Sequence, residues 1–348
     1  MADLEVRSEK ILAAIISEYM ITGEPVGSRT VSKKRDIGLS AATIRNIMSD
    51  LTDRGYIAQP HVSAGRVPTD LGYRFFVDSI LSPVELDAQE QSSIEFLIKS
   101  AGLDIRDVMR QCSHVLAELS RHAGVVTSTP AAEQTFKTID FIKVTDDRIL
   151  VVLVSTSGLV QSKMIFDEDQ IDQQTLESYS RRLNRMLRDL DLRQARERIE
   201  QELTTERTKV DAMLSKVLRL GQLILTQGHP RELFIEGQAN ILAEPEFAQI
   251  EKLKAVLLTF EEKSNLLKIL DKTLEARGIQ IFIGSEHGVD EMESCSIVAY
   301  PLRTEETVLG SIGVVGSKRM NYQKVVTLVD VTARILTRHL KGIIERAS

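Results

Sequence analysis

The sequence predicts a multidomain α+β protein, and three observations carry that prediction. Residues 28–74 run as a short polar helix, a tight turn, a capped amphipathic helix and a glycine-hinged basic loop. Residues 135–166 alternate as closely spaced strands and give way to long helical stripes, and from residue 233 a second mixture of helices and strands runs to the end. A length of 348 residues allows two or three domains, and 43% hydrophobic residues are enough to build their cores.

The first element is an amphipathic helix over 6–21, with Ile11, Leu12, Ile15, Ile16 and Tyr19 on one side. Gly27 and Ser28 open a second helix of about eight residues that carries Arg29 and presents Lys33, Lys34 and Arg35. A turn through Asp36 and Gly38 ends it. Ser40 then stands as an N-cap, and Ile44, Ile47, Met48 and Leu51 recur at i, i+3, i+4, i+7, so one face of the third helix is buried. Projection at about 100° per residue turns Thr43, Arg45, Asn46 and Ser49 away from that face, with Ala42 and Asp50 beside them. Arginine can fork onto a guanine and asparagine onto an adenine, so these four are the candidate base readers. Gly55 stops the helix. Residues 56–59 are β-like, Pro60 halts them, and the loop over 61–68 places Gly65 and Arg66 at its tip, where His61, Ser63 and Arg66 meet a groove or phosphate.

This order of elements is that of a winged helix-turn-helix, and duplex DNA is the partner it predicts. Between residues 26 and 76 eight Lys or Arg face four Asp or Glu, within a chain of net charge −6. The basic surplus is therefore local. Ser28, Arg29, Lys33, Lys34 and Ser40 join the loop residues as backbone contacts. Small three-helix units also mediate protein contacts, and spacing alone leaves that reading beside DNA binding.

Thr69 or Asp70 caps a further helix through Leu71, Phe75, Phe76, Ile80 and Leu81, and Ser82-Pro83 closes the head at 1–82. An acidic linker over 84–91 leads to helices near 93–100 and 105–122. Strands over 135–144, 148–155 and 159–166, divided by Asp146-Asp147 and Ser157-Gly158, form an antiparallel meander. Two helical stripes follow, one through Leu176, Tyr179, Leu183, Met186, Leu187 and Leu190, the other through Val210, Met213, Leu214, Val217 and Leu218. They pack on their own sheet, or on a second subunit, or on both by opposite faces. Strands over 233–236, 280–283, 294–301 and 307–315, with helices over 247–260, 263–277 and 322–344, complete an α+β unit.

Nothing here has the spacing of an enzyme site. Gly310, Gly313 and Gly316 form G-x-x-G-x-x-G inside and just after a strand, where bulges or close sheet packing explain them better than a nucleotide turn. His229, His287 and the pair Cys112 and His114 lack partners at metal-ligand spacing. No cofactor or metal is expected. Cys112 and Cys295 form neither a CxxC nor a disulfide framework, no apolar run reaches membrane length, and MADLEVRSEK lacks the apolar core of a secretion signal, so a cytoplasmic protein is expected. Lys318 and Arg319 are the most site-like residues of the second half. They form a solvated turn, or they bind an anion, contact a chaperone or clamp the DNA-binding head.

The strings TGEPVGSRTVS, SAATIRNIMSDL and QPHVSAGRVPTDLGYRFFVD, with IFIGSEH, CSIVAYPL and GSIGVVGSKRMNY near the other end, resemble the HrcA heat-inducible transcription repressors of bacteria over almost the whole chain. That resemblance implies a GAF-like domain made of 83–132 with 230–348, interrupted by an inserted α/β dimerisation domain at 133–229. It implies a homodimer on the inverted-repeat operator CIRCE ahead of the groE and dnaK operons, released on heat stress and assisted by the GroE chaperonin. Members commonly carry proline where Ser317 stands and an acidic residue where Asn321 stands. A metabolite-responsive regulator with a GAF-like unit is the alternative, and an enzyme with a DNA-binding head a more remote one.

Overall fold

The computed structural model describes residues 4–79, 85–102, 104–128, 135–156, 160–167, 170–204, 212–225, 232–244, 247, 250–304 and 308–347, and the chain is mixed α+β. The expectations at Ile80, Leu81, Ser82-Pro83, Val84, Ser157-Gly158, Leu159, Val210, His229 and Thr307 lie outside the described residues.

The head joins α1 (Val6–Thr22), α2 (Ser28–Ser32) and α3 (Ala41–Asp53) to a two-stranded antiparallel ribbon, β1 (Ile57–Ala58) and β2 (Val67–Pro68), and to α4 (Asp70–Ser79). Ile11, Leu12, Ile15 and Ile16 line the buried face of α1, each contributing roughly 1.5–3 kcal/mol by burial. The helix ends at Gly23, whose left-handed φ of 72° lets its N–H return to the Tyr19 carbonyl at 2.8 Å. The second helix is five residues rather than about eight. The Ser32 hydroxyl bonds back to Arg29 O at 3.0 Å, and the Lys33 N–H turns to Thr30 O at 3.3 Å, which closes the helix early.

Two layers of body follow. α5 (Ala88–Ser100) is capped by the Asp87 carboxylate on the Glu90 N–H at 2.6 Å, so the second half of the expected linker, from Ala88, is helix. α6 (Ile105–Ser120) runs into β3 (Ala123–Ser128), a strand that the sequence reading missed. Next come β4 (Phe136–Thr145), β5 (Arg148–Ser155) and β6 (Val160–Phe166), the expected meander. Phe141, Val151, Leu153 and Ile165 on one face of this three-stranded sheet cluster with Leu176, Tyr179 and Leu183 of α7 (Gln173–Met186), and α8 (Leu192–Thr204) and α9 (Ala212–Leu225) complete that layer.

The chain then returns to the sheet that β3 began. β7 (Leu233–Glu236), α10 (Ile250–Glu262), α11 (Ser264–Leu274), β8 (Gln280–Ile283), β9 (Cys295–Arg303), β10 (Val308–Ser317) and α12 (Tyr322–Ala347) follow. The five strands lie in the order β7-β3-β10-β9-β8, each pair antiparallel. Strand alternation sends Val126, Val298, Ile312 and Val314 to one face, in a cluster shared with Leu116, Leu328 and the head. Val125, Ile297, Ala299 and Val315 take the other, with Phe260, Leu266 and Leu270 of α10 and α11. The three glycines fall within β10. The register slips between Val308 and Gly310, and a side chain at Gly313 would meet the Val298 carbonyl at 2.5 Å, so bulge and close packing account for two of them.

Candidate nucleic-acid interface

α3 owes its start to Ser40, whose Oγ accepts the Thr43 N–H at 3.1 Å and lies 2.9 Å from the Thr43 hydroxyl. Ile44, Met48 and Leu51 are buried, and Ile47 is half-buried. Thr43, Arg45, Asn46 and Ser49 share the exposed side with Ala42 and Asp50. The face is exposed and carries mostly polar side chains.

The wing is braced from within. Gln59 Nε2 donates to the carbonyls of Val62 and Ala64 at 2.8 and 3.1 Å, and this holds out a tip of exposed His61, Val62 and Ser63. Val62, which the sequence reading did not single out, is 99% exposed at the summit. Arg66 is not at the tip. Its backbone exchanges two hydrogen bonds of 2.9 Å with Val26, and its Nε donates to Thr52 Oγ1 at 3.0 Å, while that hydroxyl donates to Met48 O at 2.7 Å. Arg66 therefore ties the base of the loop to α3. Gly65 permits this closeness, since a Cβ there would stand 2.6 Å from the backbone of Pro25 and Val26.

Around α2, Arg29 and Lys33 are exposed as expected. Two residues depart from expectation. Ser28 is buried, and the Lys34 ammonium is held by Glu18 Oε2 at 2.9 Å and Ala14 O at 3.3 Å, so it braces α1.

Lys318 and Arg319 do not form a solvated turn. Lys318 Nζ lies 2.7 Å from Asp70 Oδ1 of the head, and the Arg319 side chain is 9% exposed, with Nη2 3.8 Å from Glu244 Oε2. A Cβ at Gly23 would approach Arg319 Nη1 to 2.5 Å, so this arginine packs on the end of α1. Burial raises the Asp70 carboxyl, but hydrogen bonds from Lys318 and Ser285 outweigh it and hold the group below its ordinary range. Arg74 of the head is bound in turn by Glu286, through Nε to Oε1 at 2.9 Å and through Nη2 to Oε2, which raises its already high pKa. Asp70, Arg74 and Glu286 lie inside the family strings quoted above, but nothing in local spacing pairs groups more than 200 positions apart.

A small helical head that shows a polar helix face beside a ribbon, carried on an α+β body, has the build of a transcription regulator. Residues 106–326 match the family model described as HrcA protein C terminal domain. The heat-inducible transcription repressor HrcA of Geobacter sulfurreducens is 40% identical over 342 residues, covering 98% of this chain and 100% of that one. The same repressor of Syntrophobacter fumaroxidans is 38% identical over 343 residues, covering 98% and 99%. A solved structure described only as a hypothetical protein shares the fold, with a TM-score of 0.65, 24% identity and coverage of 98% and 100%. The chain belongs to the HrcA family of heat-inducible transcription repressors. No helix among the described residues is long and apolar enough to cross a membrane.

Proposed function

We propose that the chain is a cytoplasmic repressor of heat-shock operons that binds duplex DNA as a homodimer on an inverted repeat, the CIRCE operator ahead of groE and dnaK. The observation that carries this reading is the exposed face of Thr43, Arg45, Asn46 and Ser49 beside a braced wing. Residues 1–82 act as the winged helix-turn-helix, 83–132 with 230–348 as the GAF-like domain, and 133–229 as the inserted dimerisation domain. The strand order supports the insertion, because β4, β5 and β6 fall in sequence between β3 and β7, which are neighbours in the five-stranded sheet. The open side of the three-stranded sheet supports the dimer. Ile142, Met164 and Phe166, between 45% and 70% exposed, form an apolar surface that a second copy would cover.

Arg29, Lys33, His61 and Ser63 supply phosphate contacts, and the GroE chaperonin assists a chain whose apolar sheet face is bare before assembly. Heat diverts chaperonin to other clients and lowers the active pool. Among the described residues, side chains fill both faces of the five-stranded sheet. The test is titration of a labelled inverted repeat against scrambled duplex at several salt concentrations. Arg45→Ala is expected to reduce discrimination by about 1–3 kcal/mol per half-site. Equal affinity of the unaltered protein for both duplexes rejects the repressor reading.

A further inference from the structure

α4 is joined to the DNA-reading unit on one side and to the body on the other. On the reading side the Thr69 hydroxyl caps α4 through the Gly72 N–H at 3.1 Å and lies 2.6 Å from Gly55 O and 3.0 Å from Tyr56 O, the residues that end α3. Tyr56 also stacks edge-on against Phe75, with ring centroids 5.5 Å apart. Any rotation of α4 is therefore a rotation of α3.

On the body side Asp70 and Arg74, one helical turn apart, project from the same face. Asp70 accepts from Lys318 Nζ at 2.7 Å and from the Ser285 N–H and hydroxyl at 3.1 and 3.2 Å. Arg74 grips Glu286 with two nitrogens and reaches the Ile281 carbonyl. Tyr73 lies between them, its ring 6.2 Å from Tyr322, whose hydroxyl holds Lys318 O at 3.0 Å. The signs are reciprocal: the head gives a carboxylate and a guanidinium, the body an ammonium and a carboxylate. One ion pair is a pivot, but two of opposite sense a turn apart fix rotation.

We infer that Asp70 with Lys318 and Arg74 with Glu286 form a clasp that sets the direction in which each reading helix leaves the body, and through it the half-site spacing the dimer accepts. The second half rests on the DNA-binding dimer proposed above; the clasp itself does not. In a dimer with fixed heads, centre-to-centre half-site separation is a geometric property of the protein.

The test uses the full chain with spin labels at Lys10→Cys and Arg277→Cys, both exposed, diluted with unlabelled protein so that distances within one chain dominate. The clasped protein should give one narrow head-to-body distance, and Asp70→Ala with Arg74→Ala a broad one. The exchanged pair Arg74→Glu with Glu286→Arg should narrow it again. Equal widths in the parent and the double alanine variant overturn the clasp whatever the DNA result. On inverted repeats whose spacer varies base pair by base pair, the parent should show a sharp optimum that the double variant flattens at least fivefold, with single half-site affinity unchanged. An unflattened optimum overturns the spacing role. A parent that binds scrambled duplex equally well defeats the repressor reading instead, and the distance measurement still decides the clasp.

Discussion

His122 should make this protein acid-labile in a defined window. The residue follows Arg121, which closes α6 in the left-handed conformation, and its ring lies against Gly316 of β10, where a Cβ would stand 2.6 Å from Nδ1. It is 6% exposed and Nδ1 has no hydrogen-bond partner. Glu244 Oε1, at 3.7 Å, is too far for a hydrogen bond, and that carboxylate also faces Ser317 Oγ and Arg319. Burial therefore outweighs its attraction and pulls the imidazole down to about 4 from 6.5. With the folded value below the unfolded one, protons bind the unfolded chain first, and stability falls as pH drops from 6.5 towards about 4. The full loss is about 3 kcal/mol at 1.36 kcal/mol per unit, and about 2 kcal/mol of it is spent by roughly pH 5. Urea unfolding of the parent and His122→Gln across this range isolates the effect, since the variant keeps every other titrating group. The imidazole resonance of His122 reads the pKa directly. Parallel pH slopes in the two proteins, or an imidazole that titrates at or above its ordinary value, would refute the reasoning and make the Glu244 contact a true ion pair.

Two further outcomes test the packing that the function relies on. Gly65→Ala drives a Cβ into the Pro25 and Val26 backbone and should open the Val26 to Arg66 bridge, destabilising the head by about 1–3 kcal/mol and weakening operator binding; an unchanged melting temperature would show that the wing base can shift freely. Phe166→Asp puts a charge on the open sheet face, and sedimentation should show monomers with unaltered circular dichroism. A persistent dimer would remove that face from the interface.

α3 was legible because its information is local: a capping serine, four apolar residues at helical spacing and a glycine stop all fall within sixteen positions, 40–55. The meander was legible for the same reason, through alternation and Asp146-Asp147. β3 was not, because it is central to its sheet and buried on both faces, so AGVVTS has no alternation to betray it. The exposed tip of the wing is His61 to Ser63, ahead of the glycine that suggests it. Gly65 and Arg66 look like a loop tip in sequence, but the antiparallel bridge to Val26, forty positions earlier, draws them to the base. Lys34, Arg66 and Lys318 show the general limit: a cation announces itself in sequence, while the carboxylate or hydroxyl that will claim it does not.

Ser317 and Asn321 bracket the residues that touch the head. Ser317 ends β10 opposite Cys295 and sends its hydroxyl to Glu244 Oε2 at 3.3 Å. Glu244 therefore has a third polar neighbour beside His122 and Arg319, a donor that a proline at 317 would lack. Asn321 accepts the Lys324 N–H at 3.1 Å through Oδ1 and so caps α12. An aspartate makes the same bond and adds charge at the helix N-terminus, so the asparagine keeps the geometry and gives up only the charge term, about 0.3–1 kcal/mol. Between these positions Lys318 and Arg319 hold α4 and the end of α1. Ser317 and Asn321 thus help to hold the Glu244 carboxylate and α12, while Lys318 and Arg319 are the cations that reach the head. If the clasp sets half-site spacing, Ser317→Pro should leave the spacer optimum in place, because it removes a bond to Glu244 and none to Asp70 or Arg74.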